Sequence, residues 1–352
     1  MLKKVIALLA LASVATSVFV VIEVMALLRT MHAVETVQLR NAAAIEFAPL
    51  VAAGEPSVGY NVFVDNVRVQ QFDDFESARA FAETQTNAAI ARVRQTTWIW
   101  DNFPPFVVFI GHEKYAAFET FAEAVHAVRE KRNSFIFYRK NNNLIWSKTI
   151  PKPYAKRIEG VPLILQRPLL PRGCEVTSLA MLLQFYGLDV DKMTLAHQIA
   201  KDPTPRVIQN GRIYAGNPNV GFVGDMFDMS NHGYGVYHKP IHALLTEYFP
   251  NAALDLTGCD FSDILRFVGK GRPVWVVINT RYRHLPESAF HTWHTADGPI
   301  RITYHMHAVV ITGYDSRYVY FNDPFGVATH ARRADFAAAW VQMGSQAVAI
   351  GE

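Results

Sequence analysis

Cys174 is the residue whose type and position in this sequence best suit covalent chemistry. It follows a predicted turn at Pro171 and Gly173, and it precedes apolar residues at helical spacing. We therefore predict a helix over residues 174–186, ended by Gly187. The unpaired N–H groups and the positive end of a helix start favour a thiolate, which is the nucleophilic form, and they can hold an oxyanion. A cysteine taken alone is more often a buried apolar residue.

His307 and Asp323 are spaced so that they can complete a nucleophilic site. Residues 307–314 predict one β-strand, and residues 318–321 predict a second strand after a short turn. In an antiparallel pair the start of one strand adjoins the end of the next, so the Asp323 carboxylate can reach the imidazole and fix its tautomer. Asn322 is an alternative partner, but alternation along the strand places it on the opposite face. Nucleophile, base and orienting group then meet as thiol catalysis requires.

Three stretches together resemble the C39-like branch of the papain-fold cysteine peptidases. They are Gly-Cys-Glu-Val-Thr-Ser-Leu-Ala-Met-Leu-Leu at 173–183, His-Ala-Val-Val-Ile-Thr-Gly-Tyr-Asp at 307–315 and Asn-Asp-Pro at 322–324. The three motifs occur in the order found in the family, and the resemblance runs from about residue 161 to the C-terminus. It implies an α+β, papain-like domain in which a helix that bears the cysteine packs on an antiparallel sheet.

The resemblance also implies roles for individual residues. Cys174 is the nucleophile, His307 the general base and Asp323 the orienting group. A glutamine upstream of the cysteine usually completes the oxyanion hole in the family, and Gln166 is the candidate. No cofactor or metal is implied. The sequence lacks the ATP-binding and multi-span parts of the family's transporters, so cleavage of a double-glycine leader does not carry over. A peptide or peptidoglycan-linked substrate is expected.

Two other interpretations fit the same domain. It can be a catalytically silent peptide- or cell-wall-binding module, because papain-like folds can lose catalysis. It can also be a zinc-dependent hydrolase, because residues of types that bind zinc lie close together in sequence, although without a helical HExxH frame. The potential zinc ligands are His291, His294, Asp297, His305 and His307. Cys259, which precedes no predicted helix, is expected to be a buried or incidental thiol.

Residues 1–29 predict a membrane anchor. Two lysines precede an apolar run over residues 5–28 that is about as long as a hydrocarbon core requires. The lysines place the N-terminus in the cytoplasm. A cleaved signal peptide is the alternative, with residues 13–15 as the cleavage site, and both interpretations export the rest of the chain. We therefore predict a single-pass protein of the cell membrane with extracytoplasmic C-terminal domains, or else a secreted protein.

An internal repeat emerges when the sequence is shifted by 46 residues. The aligned pairs include Phe63 with Phe109, Phe75 with Phe121 and Trp100 with Trp146. Each copy predicts a strand, an amphipathic helix and a short strand or hairpin that ends in a tryptophan. We predict two small α+β repeats at 56–102 and 103–150, after a linker at 30–55 and before a peptidase-like domain at 151–352. The repeats are expected to be packed spacers, and binding of glycan or peptide through exposed tryptophans is the alternative.

The composition fits globular domains and excludes several classes of protein. Half of the residues are apolar and 18% are charged, which argues against disorder. The formal net charge is +3, without a dense stripe of lysine and arginine, so no nucleic-acid partner is expected. The chain has two cysteines and no CxxC pair, which excludes a disulfide framework and a metal knuckle.

Overall fold

A computed structural model describes residues 58–95, 97–150 and 152–351. The predicted anchor at 1–29 and the predicted linker at 30–55 lie outside these residues. Within the described ranges, no helix combines the length and the apolar character needed to cross a membrane. The described chain divides into two compact units between Phe103 and Pro104.

Module 1, residues 58–103, is a four-stranded antiparallel sheet with one helix. Its elements are β1 (Tyr60–Val64), β2 (Val67–Phe72), α1 (Phe75–Ala82), β3 (Ala88–Arg92) and β4 (Trp98–Asp101). The strand order is β2-β1-β3-β4. Asp65 and Asn66 have φ angles of 49° and 64°, which a tight turn between two strands requires. The core between helix and sheet contains Val62, Ala78, Ala82, Ala88 and Ile90.

Module 2, residues 104–150, has the same order of elements. They are β5 (Phe106–Ile110), β6 (Glu113–Phe118), α2 (Phe121–Val128), β7 (Ser134–Tyr138) and β8 (Asn143–Ser147), with the strand order β6-β5-β7-β8. Thr120 and Glu123 form a capping box at the start of α2. The sequence does not predict β2 or β6, because none of the residues of these edge strands is buried, so no buried face marks them.

Module 2 packs on the C-terminal domain and shares one of its cores. The Phe121 ring lies edge-on to the Phe267 ring, with 5.5 Å between the centroids. Trp146 Nε1 donates a hydrogen bond to Asp263 Oδ1 at 2.9 Å, and the Trp146 side chain is 3% exposed. Glycan binding through an exposed ring is therefore wrong for Trp146, which serves as a contact between module and domain.

The C-terminal domain, residues 152–351, contains thirteen described strands and five described α-helices. The strands are β9 (Lys156–Arg157), β10 (Lys201–Asp202), β11 (Val207–Gln209), β12 (Arg212–Tyr214), β13 (Phe222–Val223), β14 (Ala253–Asp255), β15 (Val274–Asn279), β16 (His291–Thr295), β17 (Gly298–Ile302), β18 (Met306–Tyr314), β19 (Tyr318–Asn322), β20 (His330–Arg332) and β21 (Ala347–Ile350). The helices are α3 (Cys174–Phe185), α4 (Lys192–Gln198), α5 (His238–Tyr248), α6 (Phe261–Gly269) and α7 (Arg333–Gln342), and a 3-10 helix spans Glu287–Ala289.

The main sheet separates two cores. Its strand order is β14-β21-β15-β18-β19-β20, with β9 paired to β18, and each of these pairs is antiparallel. Side chains alternate along β15, so Trp275 and Val277 enter a first core with α3, while Val276 and Ile278 enter a second core with α6, α7 and module 2. A small sheet of β11-β12-β16-β17 lies beside the first core. The domain is a mixed α+β fold.

The helix that bears the cysteine begins at Cys174, as predicted, and ends at Phe185, one residue before the predicted end. Gly187 follows with a φ of +85°, in the left-handed region that suits the residue after a helix. The ten residues from Cys174 to Leu183 are all buried, so this part of α3 is enclosed on every side. Phe185, the last residue of the helix, is half-buried.

Candidate active site

The hairpin of β18 and β19 brings His307 and Asp323 together, as the sequence predicts. His307 Nε2 lies 2.7 Å from Asp323 Oδ1, and both side chains are fully buried. Asn322 is not the orienting residue, because its Nδ2 donates to the carbonyl oxygens of Val161 and Pro162. The imidazole therefore has one carboxylate partner, as a general base requires.

Asp323 is held in place by several donors besides His307. Oδ1 accepts the N–H of Phe325 at 2.9 Å, and Oδ2 accepts the hydroxyl of Tyr282 at 2.9 Å. Burial raises the pKa of Asp323, but the hydrogen bond and charge of His307, together with these donors, lower it more, so the pKa lies below its ordinary value. Asp323 is therefore a carboxylate at neutral pH and can stabilise an imidazolium.

The other nitrogen of His307 is available for proton transfer. The ring stacks on Phe325, with 4.4 Å between the centroids and 10° between the planes. Nδ1 is buried and has no hydrogen-bond partner in the part of the chain that the structure describes. Because Nε2 faces a carboxylate, Nε2 carries the hydrogen and Nδ1 is the acceptor in the neutral ring.

Cys174 occupies the first position of α3, with its side chain 6% exposed. Its Sγ donates to Glu175 Oε2 at 3.2 Å rather than to the imidazole. Burial raises the pKa of the Cys174 thiol well above its ordinary value, Glu175 raises it further, and the backbone N–H of Ala308, next to His307, lowers it. The structure thus brings Cys174 to the strand that carries His307, but it shows a neutral thiol turned toward Glu175. The thiolate predicted for the helix start is not the form favoured here.

Glu175 is a part of the site that the sequence analysis missed. It is completely buried, and Oε1 accepts the N–H of Val236 at 2.8 Å. Burial raises the pKa of Glu175 to about 7, so near neutral pH the carboxyl exists in both forms. Gly235 leaves it room, because a Cβ there would lie 2.2 Å from Glu175 Oε1. An acidic residue in a first helical turn normally indicates only a favourable dipole interaction, so its position gave no sign of a contact with the thiol.

Gln166, the predicted oxyanion-hole residue, lines the same cavity as Cys174 and is fully buried. Its Nε2 donates to the carbonyl oxygens of Leu170 and Pro171 at 3.1 and 2.8 Å. Because a side-chain amide has two hydrogens to donate, both are engaged in the turn before α3. The backbone N–H of Cys174 is the alternative donor for an oxyanion, because it is one of the first four N–H groups of α3, which have no acceptor within the helix.

An open cavity of about 570 Å³ runs along the start of α3. Arg206 and Met229, from the segment between β10 and α5, line part of it. Arg172 shapes this wall, since its guanidinium donates to four backbone carbonyl oxygens at 2.7–3.2 Å. The acceptors are Asp225, Asp228, Met229 and Asn231. The cavity gives an extended substrate access to Cys174.

Tyr282, Phe325 and Arg172 were also missed by the sequence analysis. Phe325 follows the Asn-Asp-Pro motif directly, so its proximity to Asp323 offered a signal. Tyr282 lies in the turn after β15 with a φ of 51°, and no motif surrounds it. Arg172 immediately precedes the Gly-Cys motif, but its four acceptors lie more than fifty residues away along the chain.

The predicted cluster of zinc ligands does not assemble. His307 is paired with Asp323, while His305 Nδ1 lies 3.2 Å from the hydroxyl of Thr280. His291 and His294 belong to β16 in the small sheet. Among residues 58–95, 97–150 and 152–351, no group of three histidine, cysteine or acidic side chains is arranged to hold a metal ion. The zinc interpretation is therefore wrong for this cluster.

Cys259 is a buried free thiol in the second core. Its Sγ lies 3.5 Å from the carbonyl oxygen of Asp260. The thiol is buried, as expected, and a helix follows it closely, because α6 begins at Phe261. Cys174 is likewise free, so the two cysteines do not form a disulfide with each other.

Comparisons with known proteins identify the domain that carries this site. Residues 158–348 match the sequence model of the Peptidase_C39 like family. The chain belongs to this C39-like peptidase family. The C39-like match contains Gln166, Cys174, His307 and Asp323, and it begins after module 2.

Two relatives match slightly more than half of this chain. The uncharacterised protein YvpB of Bacillus subtilis (strain 168) is 46% identical over 187 residues, which are 53% of this chain and 72% of that protein. A crystal structure of a candidate C39-like peptidase from Bacillus anthracis is similar with a TM-score of 0.52 and 46% identity. That similarity covers 56% of this chain and 98% of the Bacillus anthracis chain.

Proposed function

We propose that the C39-like domain is a cysteine peptidase that hydrolyses an amide bond, with Cys174 as nucleophile, His307 as general base and Asp323 as orienting group. The observation that carries the proposal is the buried His307–Asp323 pair with its unpartnered Nδ1. The next residue of the same strand, Ala308, has its N–H close enough to lower the pKa of the Cys174 thiol, although burial raises that pKa overall. A thiol at a helix start and an oriented imidazole are the parts that nucleophilic thiol catalysis requires.

The reaction begins when the Cys174 thiol turns from Glu175 toward His307. Nδ1 of His307 takes the thiol proton, and the thiolate attacks the carbonyl carbon of the scissile amide. The backbone N–H of Cys174 donates to the resulting oxyanion, and Asp323 stabilises the imidazolium. The imidazolium then gives its proton to the leaving amine, which leaves a thioester. His307 deprotonates a water molecule that hydrolyses the thioester, so the carboxylic acid product and the thiol are released.

The substrate is expected to be a peptide or a peptidoglycan-linked peptide outside the cytoplasm. This part of the proposal rests on the apolar run at residues 5–28 and its two preceding lysines, which predict export. A cavity that is open along the start of α3 suits an extended chain. Transfer of the acyl group to an amine instead of water is a variant of the same chemistry.

A catalytically silent binding module is the second candidate, and one observation favours it. Burial and Glu175 raise the pKa of the Cys174 thiol well above its ordinary value, so the thiolate is scarce in this arrangement. A cavity with an inert thiol would bind peptides without cleaving them. The two candidates differ in whether Cys174 is needed for turnover or is only one wall of the cavity.

The test is digestion of a defined peptide mixture by the full-length protein, with new termini identified by mass spectrometry. We expect cleavage by the wild type and by Cys259→Ala, and none by Cys174→Ala at equal folded content. A thioester on Cys174, trapped by acid quenching, would identify the acyl-enzyme. Peptides that bind but stay intact, with binding unaffected by Cys174→Ala, would support the binding module instead.

A further inference from the structure

The cavity beside Cys174 has a positive lining. Three arginines border it, Arg167, Arg172 and Arg206. None of the described residues that line it is aspartate or glutamate. A cleft lined by charges of one sign attracts ligands of the opposite sign.

Two of the three arginines have other tasks. Arg172 donates to the carbonyl oxygens of the 225–231 segment and lies near the carboxylates of Asp225 and Asp228. Arg167 is exposed, and its guanidinium lies 5.6 Å from the centre of the Phe325 ring. Neither arginine is therefore the best candidate to bind a ligand inside the cavity.

Arg206 differs from both. It is half-buried just before β11, and its Nε is buried without a hydrogen-bond partner anywhere in the described chain. A buried donor that is left unpaired costs free energy. A guanidinium offers five N–H donors in a planar fork that fits the two oxygens of a carboxylate. An anionic ligand would give Arg206 the acceptor that it lacks in the protein.

The surroundings of Arg206 also suit a side chain with an apolar stem. The His232 ring lies 6.0 Å from the Trp293 ring and 6.4 Å from the Tyr304 ring. Burial lowers the pKa of His232, and the charges of Arg206 and Arg172 lower it further. His232 is therefore neutral at pH 7 and adds to an aromatic wall beside the guanidinium.

We propose that Arg206 forms an anion subsite next to Cys174 and selects peptides that carry an acidic side chain or a terminal carboxylate close to the scissile amide. This inference rests on the proposed peptidase function. The methylene groups of a glutamate lie against the His232 and Tyr304 rings, and its carboxylate pairs with the guanidinium. A neutral glutamine of the same shape lacks the charge and is selected against.

The experiment uses full-length protein and chloroacetylated tetrapeptide amides. Each peptide carries one glutamate at a single position, and its twin carries glutamine at that position. The Cys174 thiolate displaces chloride and forms a thioether, which mass spectrometry counts. We expect one glutamate position to be alkylated about tenfold to a hundredfold faster than its glutamine twin at low ionic strength, since charge-assisted hydrogen bonds discriminate on that scale. Added salt should reduce the ratio.

Three variants assign the preference to one side chain. Arg206→Gln should bring the ratio close to one, and Arg206→Lys should keep part of it. Arg212→Gln is the matched control, because Arg212 is exposed on β12 and does not line the cavity. It should leave the wild-type ratio intact. Equal rates for all twins in the wild type, or a ratio that survives Arg206→Gln, would overturn the subsite.

A binding measurement separates failure of the subsite from failure of the peptidase. The same peptides, acetylated instead of chloroacetylated, are titrated into Cys174→Ala protein. If no peptide labels Cys174 but acetylated glutamate peptides still bind more tightly in an Arg206-dependent way, the subsite stands and the peptidase falls. If Cys174 is labelled quickly, but glutamate and glutamine peptides react at the same rate and bind equally well, the proposed peptidase function is supported and the subsite is ruled out.

Discussion

The two cysteines of this protein lie in regions that are similar in burial and in their proximity to the start of a helix. Cys174 borders the first core at the first residue of α3, and Cys259 lies in the second core two residues before α6. Both are buried free thiols. Burial raises the pKa of each thiol well above its ordinary value, and an acidic neighbour adds to it, Glu175 in one region and Asp263 in the other.

The difference between the regions lies in what faces each thiol. Cys174 lines an open cavity and reaches the strand that bears the buried His307–Asp323 pair. Cys259 belongs to the second core, and its Sγ lies 3.5 Å from the backbone carbonyl oxygen of Asp260. Burial and the proximity of a helix start are thus common to both thiols and cannot mark a nucleophile. The buried His307–Asp323 pair on the adjoining strand and the open cavity distinguish Cys174.

The largest expected effect comes from removing the base. His307→Ala should slow peptide cleavage and alkylation of Cys174 by roughly 10²–10⁴-fold, because the proposed general base for the thiol proton is then missing. Rates are followed by a stopped chromatographic assay and by mass spectrometry. His305→Ala is the control, since His305 pairs with the Thr280 hydroxyl instead. If His307→Ala leaves the rates of cleavage and of Cys174 alkylation unchanged, His307 does not activate the thiol and the proposed difference between the two cysteines is wrong.

Removing the orienting carboxylate should have a smaller effect. Asp323→Ala should reduce cleavage by roughly 10²-fold, because the imidazole loses its fixed tautomer. The folded-state pKa of Asp323 lies below its ordinary value of 3.8, so its stabilising contribution is present above that pH and is lost as the pH falls through the lower folded-state value. Denaturant unfolding should therefore show a gap between wild type and Asp323→Ala that closes in acid. Asp335→Asn, at an exposed position of α7, should show no such gap.

A smaller effect is expected from Glu175, the acidic side chain that contacts the Cys174 thiol. Its pKa is about 7, so above that pH the carboxylate is charged and raises the pKa of the thiol beside it. Glu175→Gln should accelerate alkylation of Cys174 by roughly threefold to tenfold above pH 7, while the rates of variant and wild type converge below it. A pH–rate profile measures both limbs. Curves that coincide at high pH would show that Glu175 does not control the thiol.

The smallest effect is expected in the second region. Cys259→Ala should leave cleavage within about twofold of wild type, because Cys259 contacts neither the cavity nor His307. Loss of a buried sulfur should reduce the free energy of unfolding by about 1 kcal/mol. Thermal unfolding and the cleavage assay check the two parts. A large loss of activity in a well-folded variant would contradict the contrast between the regions.

The motifs around Cys174, His307 and Asp323 predicted the local elements because each motif spans one element or one hairpin. The start of α3 and the antiparallel contact of β18 with β19 follow from short-range periodicity and alternation. Glu175 and Tyr282 were not predicted, because their contacts depend on how distant segments pack. Gln166 illustrates the same limit, since its position near Cys174 was expected but the engagement of its amide by Leu170 and Pro171 was not.

Shifting the sequence by 46 residues aligns Phe75 with Phe121 and Trp100 with Trp146, but this alignment does not predict how deeply each side chain is buried. Phe121 and Trp146 are buried against the C-terminal domain, whereas Phe75 and Trp100 in module 1 are half-buried. The sequence repeat shows which positions of the two modules are equivalent. It does not show which of these side chains pack against another part of the chain, because that contact depends on residues outside the repeat.

The rate at which a neutral electrophile labels each cysteine of the native full-length protein tests directly whether Cys174 is an activated nucleophile. Iodoacetamide is added at pH 7.5, and the modified residue is identified by mass spectrometry over time. We expect rapid labelling at Cys174 and slow labelling at Cys259, and we expect His307→Ala to reduce the labelling rate at Cys174. Equally slow labelling of both thiols, indifferent to His307, would contradict the nucleophile and favour a binding module on the same fold.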